Sequence, residues 1–258
     1  MISQFFAYIQ MQEKNIFYFG ELQKVFNISS QQEKDLLSNL SRRGMIIRLK
    51  RGVYLVPQKI PPGGKWQPDS LYLISQFMKV IGAKYYIGGL YAFHHYGLTN
   101  QLVNEITIYN DRLSGKKRLG NLNIQLIKIA SPKIGEPVTL SFKEKEQVNI
   151  SRLSRTILDA IKDWSRFNTL PTAFEWIKNN IQDYGFLSEL VNDTIMYGNM
   201  SSKRRIGYFL YKQTHDKKLV EPILKKLTAS KSWLPLDPQG GTKGLTKKEW
   251  RIIDNVHN

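Results

Sequence analysis

The 258-residue chain contains no cysteine, which excludes disulfides, thiolate metal sites and cysteine nucleophiles. The absence also fits a reducing compartment. No stretch approaches the ~20 consecutive apolar residues that a membrane-spanning helix needs. Residues 1–14 have no basic segment ahead of their apolar residues and no cleavage-like site, so the expectation is a cytoplasmic protein without a signal peptide. Acidic residues are scarce. The 21 Asp and Glu stand against 38 Lys and Arg, a formal charge of +17. An excess of this size calls for an anionic partner, either nucleic acid or an anionic membrane surface; over the chain as a whole the expected partner is nucleic acid, with no membrane. What is present argues for a folded chain: 41% hydrophobic and 12% aromatic residues suffice for a core. At roughly 100–200 residues per domain, the length allows one large domain or two modest ones.

The clearest break runs from Pro57 to Pro68, where Pro61, Pro62, Gly63 and Gly64 rule out a continuing helix or a central strand. It divides an N-terminal domain, residues 1–57, from a C-terminal domain, residues 69–258, with a linker over 58–68. In the first, Ile2, Phe5, Phe6 and Ile9 recur at helical spacing, and Leu22, Val25 and Phe26 mark a second, short helix. After a turn at Asn27–Ser29, Ser30 and Glu33 have the spacing of a capping box, which predicts a third helix from there to Arg43. Gly44 stands where a left-handed residue would close it.

This third helix carries an apolar stripe, Leu36, Leu37 and Leu40, opposite Gln31, Lys34, Asp35, Ser38 and Arg42, all able to hydrogen-bond. Two β-rich runs then flank Lys50-Arg51-Gly52, which predicts a hairpin with a basic tip. Helix, short helix, turn, amphipathic helix and basic hairpin is the order of a winged helix-turn-helix. In that fold the polar helix face enters the major groove, where Gln reads adenine and Arg reads guanine through two hydrogen bonds each. Arg48, Lys50 and Arg51 would grip phosphates, which add affinity without sequence information. The same residues also suit a small adaptor module with a solvated polar face.

The second domain begins with a helix through Leu71, Ile74, Phe77, Met78 and Ile81, which Gly82 ends. A short strand at Tyr85–Ile87 follows, then Gly88-Gly89 and a short helix over 90–96. Alternation predicts strands near 105–109 and 123–129, with another at 148–150. From Ser154 the period turns helical and stays so past Leu224. Strands first and helices later give the expected fold class: α+β, with an N-terminal winged helix-turn-helix, a larger mixed α+β domain and a helical C-terminal part.

Four short stretches occur in an order that resembles a known family. They are Arg51-Gly52-Val53-Tyr54 after the helix-turn-helix, Tyr86-Ile87-Gly88-Gly89-Leu90-Tyr91-Ala92-Phe93-His94-His95-Tyr96-Gly97-Leu98-Thr99, Ser154-Arg155-Thr156-Ile157-Leu158-Asp159, and Leu234-Pro235-Leu236-Asp237-Pro238. Over residues 15–238 the chain resembles the AbiE-type antitoxins, transcriptional regulators of viral defence systems. The resemblance implies a type IV toxin–antitoxin system. Its antitoxin represses its own operon by binding inverted repeats in the promoter. Its C-terminal domain counteracts a nucleotidyltransferase-like toxin without a stable complex. The family also includes stand-alone regulators.

His94 and His95 point about 100° apart on a helix and do not make an i,i+4 ligand pair, so packed or capping roles are expected rather than a metal site. His215 and His257 lie in distant polar segments. A nuclease or nucleotidyltransferase would need two carboxylates on one strand to hold its metal ions, but Thr107 follows Glu105 at the place of the second. No enzyme activity and no cofactor are therefore expected. Ser154-Arg155-Thr156 with Asp159 reads as a capped helix start, with a small polar site as the alternative. Finally, residues 198–231 carry nine basic and two acidic side chains. Lys203, Arg204, Arg205, Lys212, Lys217, Lys218, Lys225 and Lys226 are expected to form the basic outer face of two helices, a second surface for DNA or RNA.

Overall fold

The structure, a computed structural model, describes residues 1–60, 63–143 and 146–256. Pro61 and Pro62 of the expected linker and His257 lie outside the described residues. The fold is mixed α+β. Helix α1 (Ile2–Met11) buries Phe5, Phe6 and Ile9, and leads through strand β1 (Ile16–Tyr18) into α2 (Glu21–Phe26) and α3 (Ser30–Arg42). Strands β2 (Ile47–Lys50) and β3 (Val53–Leu55) follow, in a three-stranded antiparallel sheet of order β1-β3-β2.

Helix α4 (Ser70–Ile81) starts at Asp69, whose carboxylate accepts the Leu71 and Tyr72 amides, and stops at Gly82 in the left-handed conformation. Strand β4 (Tyr85–Gly88), helix α5 (Gly89–His95), and strands β5 (Ile106–Asn110), β6 (Gly115–Leu119), β7 (Leu122–Lys128), β8 (Val138–Lys143) and β9 (Glu146–Ile150) come next. They build one six-stranded sheet of order β6-β7-β5-β4-β9-β8. The pairs β7–β5 and β4–β9 are parallel and the others antiparallel. The expected strands over 85–87, 105–109, 123–129 and 148–150 are present. The Gly88-Gly89 pair has a steric reason: a Cβ on Gly88 would lie 2.9 Å from the Tyr109 ring, and one on Gly89 2.7 Å from Phe167.

The helical part comprises α6 (Leu153–Lys162), α7 (Trp164–Phe167), α8 (Thr172–Asn179), α9 (Tyr184–Tyr197), α10 (Met200–Thr214) and α11 (Lys217–Leu224). A small sheet that the sequence pattern does not reveal closes the chain. Strands β10 (Leu234–Pro235), β11 (Leu245–Lys247) and β12 (Ile252–Asp254) pair in the order β10-β12-β11. Among the described residues no helix is long and apolar enough to cross a membrane.

The hydrophobic core crosses the line between residues 1–57 and 69–258. Ile47, Leu49 and Leu55 are buried in one cluster with Leu73, Ile74 and Phe77 of α4 and Ile106, Ile124 and Leu126 of the large sheet. β2 alternates buried and exposed residues, so Ile47 and Leu49 face inward while Arg48 and Lys50 face solvent. Within 58–68, the Trp66 amide donates to the Gly44 carbonyl at 2.8 Å, tying the connecting segment to the end of α3.

Candidate nucleic-acid interface

α3 begins one residue earlier than expected, and its cap uses different partners. Ser29 is the cap residue, accepting the Gln32 amide, while the Gln32 side chain accepts the Ser29 amide. Glu33 is released from the expected capping box and is fully buried instead. Its carboxylate accepts the Gly20 amide at 2.9 Å, the Leu22 amide at 3.2 Å and the Gln23 side-chain amide at 2.7 Å. These donors stand at the N-terminus of α2, where the helix dipole favours an anion. Glu33 therefore fixes the angle between α2 and α3. A signal for this lies in the sequence: Glu33 occupies position i of the same i, i+3, i+4, i+7 stripe as Leu36, Leu37 and Leu40.

With that stripe buried, Gln31, Lys34, Asp35, Ser38 and Arg42 are all exposed on the opposite side. The Gln31 side-chain amide donates to Asp35 at 2.8 Å, so Asp35 holds Gln31 rather than standing free. Gly44 is left-handed and closes the helix as expected. At the hairpin, Arg48 and Arg51 are exposed. Lys50 is exposed too, but its ammonium donates to the Val80 carbonyl at 3.0 Å, near the C-terminus of α4. One cation of the hairpin thus already has a place in the fold.

The expected second basic surface is not assembled as one face. Arg204 and Arg205 are buried, because the C-terminal sheet packs onto α10. Arg204 donates to the carbonyls of Trp250, Ser232 and Arg251, and Arg205 to those of Pro235 and Leu236. Burial, with Arg204 beside it, pushes the Arg205 guanidinium down to about 10. Lys212 pairs with Asp254 at 3.0 Å and Lys225 with Glu221 at 2.7 Å. Lys203 is partly buried, and Lys217, Lys218, Lys225 and Lys226 are exposed, Lys225 in its pair with Glu221. Arg204→Ala is accordingly expected to lower stability by about 2 kcal/mol, since three carbonyls lose their donor. Chemical denaturation measures this, and an unchanged midpoint would contradict a structural role.

His94 and His95 are both exposed, and His95 meets the Tyr96 ring edge-on at 4.9 Å. Glu105 pairs with Lys116 at 3.5 Å, and Thr107 is buried in β5. The Ser154–Asp159 segment is not a side-chain-capped helix start, as Arg152 at the cap position makes no capping bond. It forms a buried polar network, closer to the alternative of a small polar site than to a capped helix start. Ser154 donates to Asp193 at 2.7 Å, Arg155 bonds Asp159 at 3.1 Å and Tyr86 at 2.8 Å, and the Tyr86 hydroxyl donates to Asp159 at 2.7 Å. Tyr109 stacks on Tyr86 and donates to Asp163 at 2.7 Å. Each polar end in this network meets another polar group of the chain, which is the arrangement of a structural tie between the sheet and α6.

No protein-family model matches the chain, and no curated protein matches it. Among solved structures, the fold is similar to that in the crystal structure of the RV2827C protein from Mycobacterium tuberculosis. The TM-score is 0.58 at 14% identity, over 98% of this chain and 90% of that one. At this identity the likeness shows a shared fold alone.

Proposed function

We propose that residues 1–57 act as a winged helix-turn-helix, and that the protein is a sequence-specific DNA-binding repressor and antitoxin of the AbiE type. The observation that carries this reading is the exposed edge of α3. Five hydrogen-bonding side chains occupy it, the Glu33 carboxylate sets its angle to α2, and the cations Arg48 and Arg51 stand on the adjoining hairpin. An α-helix so presented fits the major groove, where side chains discriminate base edges. Gln31, Lys34, Ser38 and Arg42 are assigned to the groove, with Asp35 orienting Gln31. Arg48 and Arg51 are assigned to phosphates, and Lys50 contributes less because its ammonium is engaged by Val80. The operator would be inverted repeats in the protein's own promoter. The C-terminal domain would counteract a nucleotidyltransferase-like toxin without a stable complex, and no catalytic role is assigned to it.

Fluorescence anisotropy with duplex DNA from upstream of the gene tests the reading. Gln31→Ala and Arg42→Ala are each expected to weaken specific binding by about tenfold or more, the worth of a bidentate base contact. Arg48→Ala and Arg51→Ala should each reduce the log–log salt slope by ~0.9, and Lys50→Ala by less. Binding of upstream and scrambled duplexes with equal affinity, or salt slopes untouched by all three hairpin variants, would refute it.

A further inference from the structure

Beside the C-terminal end of α3 lies a cleft of about 800 Å³, within the size range of small-molecule sites. One wall is the end of α3 and β2, contributing Arg42, Arg43 and Arg48. The connecting segment adds Lys65 and Trp66, and the β6–β7 hairpin closes the far side with Arg118. No Asp or Glu lines the cleft, and none of these five cations makes an ion pair among the described residues. Lys117, the next residue on β6, is held below the usual lysine range by burial and by the nearby Arg48 guanidinium. Like charges therefore converge on this space without a counter-ion from the protein.

The cleft is held open by packing. Ile47 sits in the shared core and fills the space where a Cβ on Gly120 would come to 3.1 Å, and the Trp66–Gly44 hydrogen bond anchors the connecting segment. Its chemistry is more than cationic. Guanidinium groups match phosphate oxygens two at a time. Trp66, half-buried, offers an aromatic surface on which a base can stack. Asn104, Asn121 and Asn123 each present the paired donor and acceptor that suits the edge of a base.

We propose that this cleft binds a nucleoside polyphosphate, with its phosphates on the arginines and Lys65 and its base against Trp66. The ligand would draw Arg42 and Arg48 away from DNA and so lower operator affinity. This regulatory part rests on the DNA-binding reading above, whereas the binding itself does not.

Isothermal titration of the full chain with ATP, GTP and inorganic triphosphate, in the absence of DNA, tests the site directly. Either nucleotide should bind. Arg118→Ala and Lys65→Ala, both changes at exposed positions, should each weaken it by about tenfold. Trp66→Leu should weaken nucleotide but not inorganic triphosphate by about tenfold, and Trp66→Phe should restore it. Lys178→Ala, an exposed position on α8 that does not line the cleft, should change nothing. No binding at millimolar nucleotide and low salt would overturn the proposal. So would equal affinity for ATP and inorganic triphosphate, or a loss of duplex binding in Arg118→Ala without any nucleotide binding. A competition arm separates the two readings. Nucleotide binding by a chain that ignores its upstream duplex would sink the repressor assignment and keep the site. Duplex affinity unmoved by saturating nucleotide would overturn the regulation.

Discussion

Asp159→Ala is expected to cost about 3–5 kcal/mol of unfolding free energy, the typical penalty for removing one partner of a buried ion pair. Asp159 is 2% exposed and is the shared acceptor for Tyr86, Arg155 and Lys162. Without it, Arg155 is left buried with no ion-pair partner, and Lys162 keeps only Asp163 at 3.8 Å. Arg155 keeps only the Tyr86 hydroxyl and the Lys133 carbonyl, and lies against the Tyr197 ring. Tyr86→Phe removes two hydrogen bonds, one given to Asp159 and one taken from Arg155, and leaves the ion pairs, so about 2 kcal/mol is expected. Urea denaturation of both variants at neutral pH checks this, and a loss under 1 kcal/mol for Asp159→Ala would show that water reaches the cations.

The same site has a pH signature. Burial pushes the Asp159 carboxyl up, but Lys162 and Arg155 more than reverse this and hold it below its ordinary value. A carboxyl depressed in the folded state stabilises it fully above the unfolded-chain value, near ~3.9. The contribution is lost as pH falls through the lower folded value. The stability gap between the native chain and Asp159→Ala should therefore be constant at neutral pH and narrow below about pH 4. A gap that narrowed on the alkaline side would contradict the assignment.

Glu33→Ala is expected to cost about 3 kcal/mol and to impair DNA binding beyond what the lost stability explains. The Gly20 and Leu22 amides would lose their acceptor in a buried place, and each such orphan costs about 1–3 kcal/mol. The angle between α2 and α3 would then be free to change, and with it the presentation of Gln31 and Arg42. Glu33→Gln should fall between the two, since its oxygen can accept one amide while its NH₂ group opposes the other. Denaturation and anisotropy on the same samples separate the effects. Full duplex affinity in folded Glu33→Ala protein would show that this carboxylate does not set the interface.

Much of the fold was legible because its elements carry their own period. β7 alternates, the Ile-Thr-Ile run of β5 reads as a strand although all of it is buried, and Leu36, Leu37 and Leu40 follow the helical repeat. β6 was not legible, since Gly-Lys-Lys-Arg-Leu is an exposed edge strand whose burial pattern carries no alternation. The C-terminal sheet escaped for a related reason: its strands are two or three residues long, too short to display a period. That omission misplaced Arg204 and Arg205, whose acceptors are backbone carbonyls of residues 28 to 47 positions away. A composition count registers such arginines as surface charge, because nothing local reveals that distant carbonyls will neutralise the cost of burying them. At the interface the residue types and the exposed face of α3 followed from helical phase. The internal uses of Glu33 and Lys50 depended on contacts that the phase alone does not contain.

The apolar seam through Ile47, Leu49 and Leu55 has a mechanical corollary. Under the proposed repressor reading, a recognition element soldered to its body, rather than hung from a string, would behave as one arm of a caliper. Two copies facing each other across a palindrome would then tolerate only the half-site separation that their combined girth dictates. Lengthening the proline-rich connection would leave that measurement unchanged, because the jaw is fixed by packing and not by the length of chain that happens to join it.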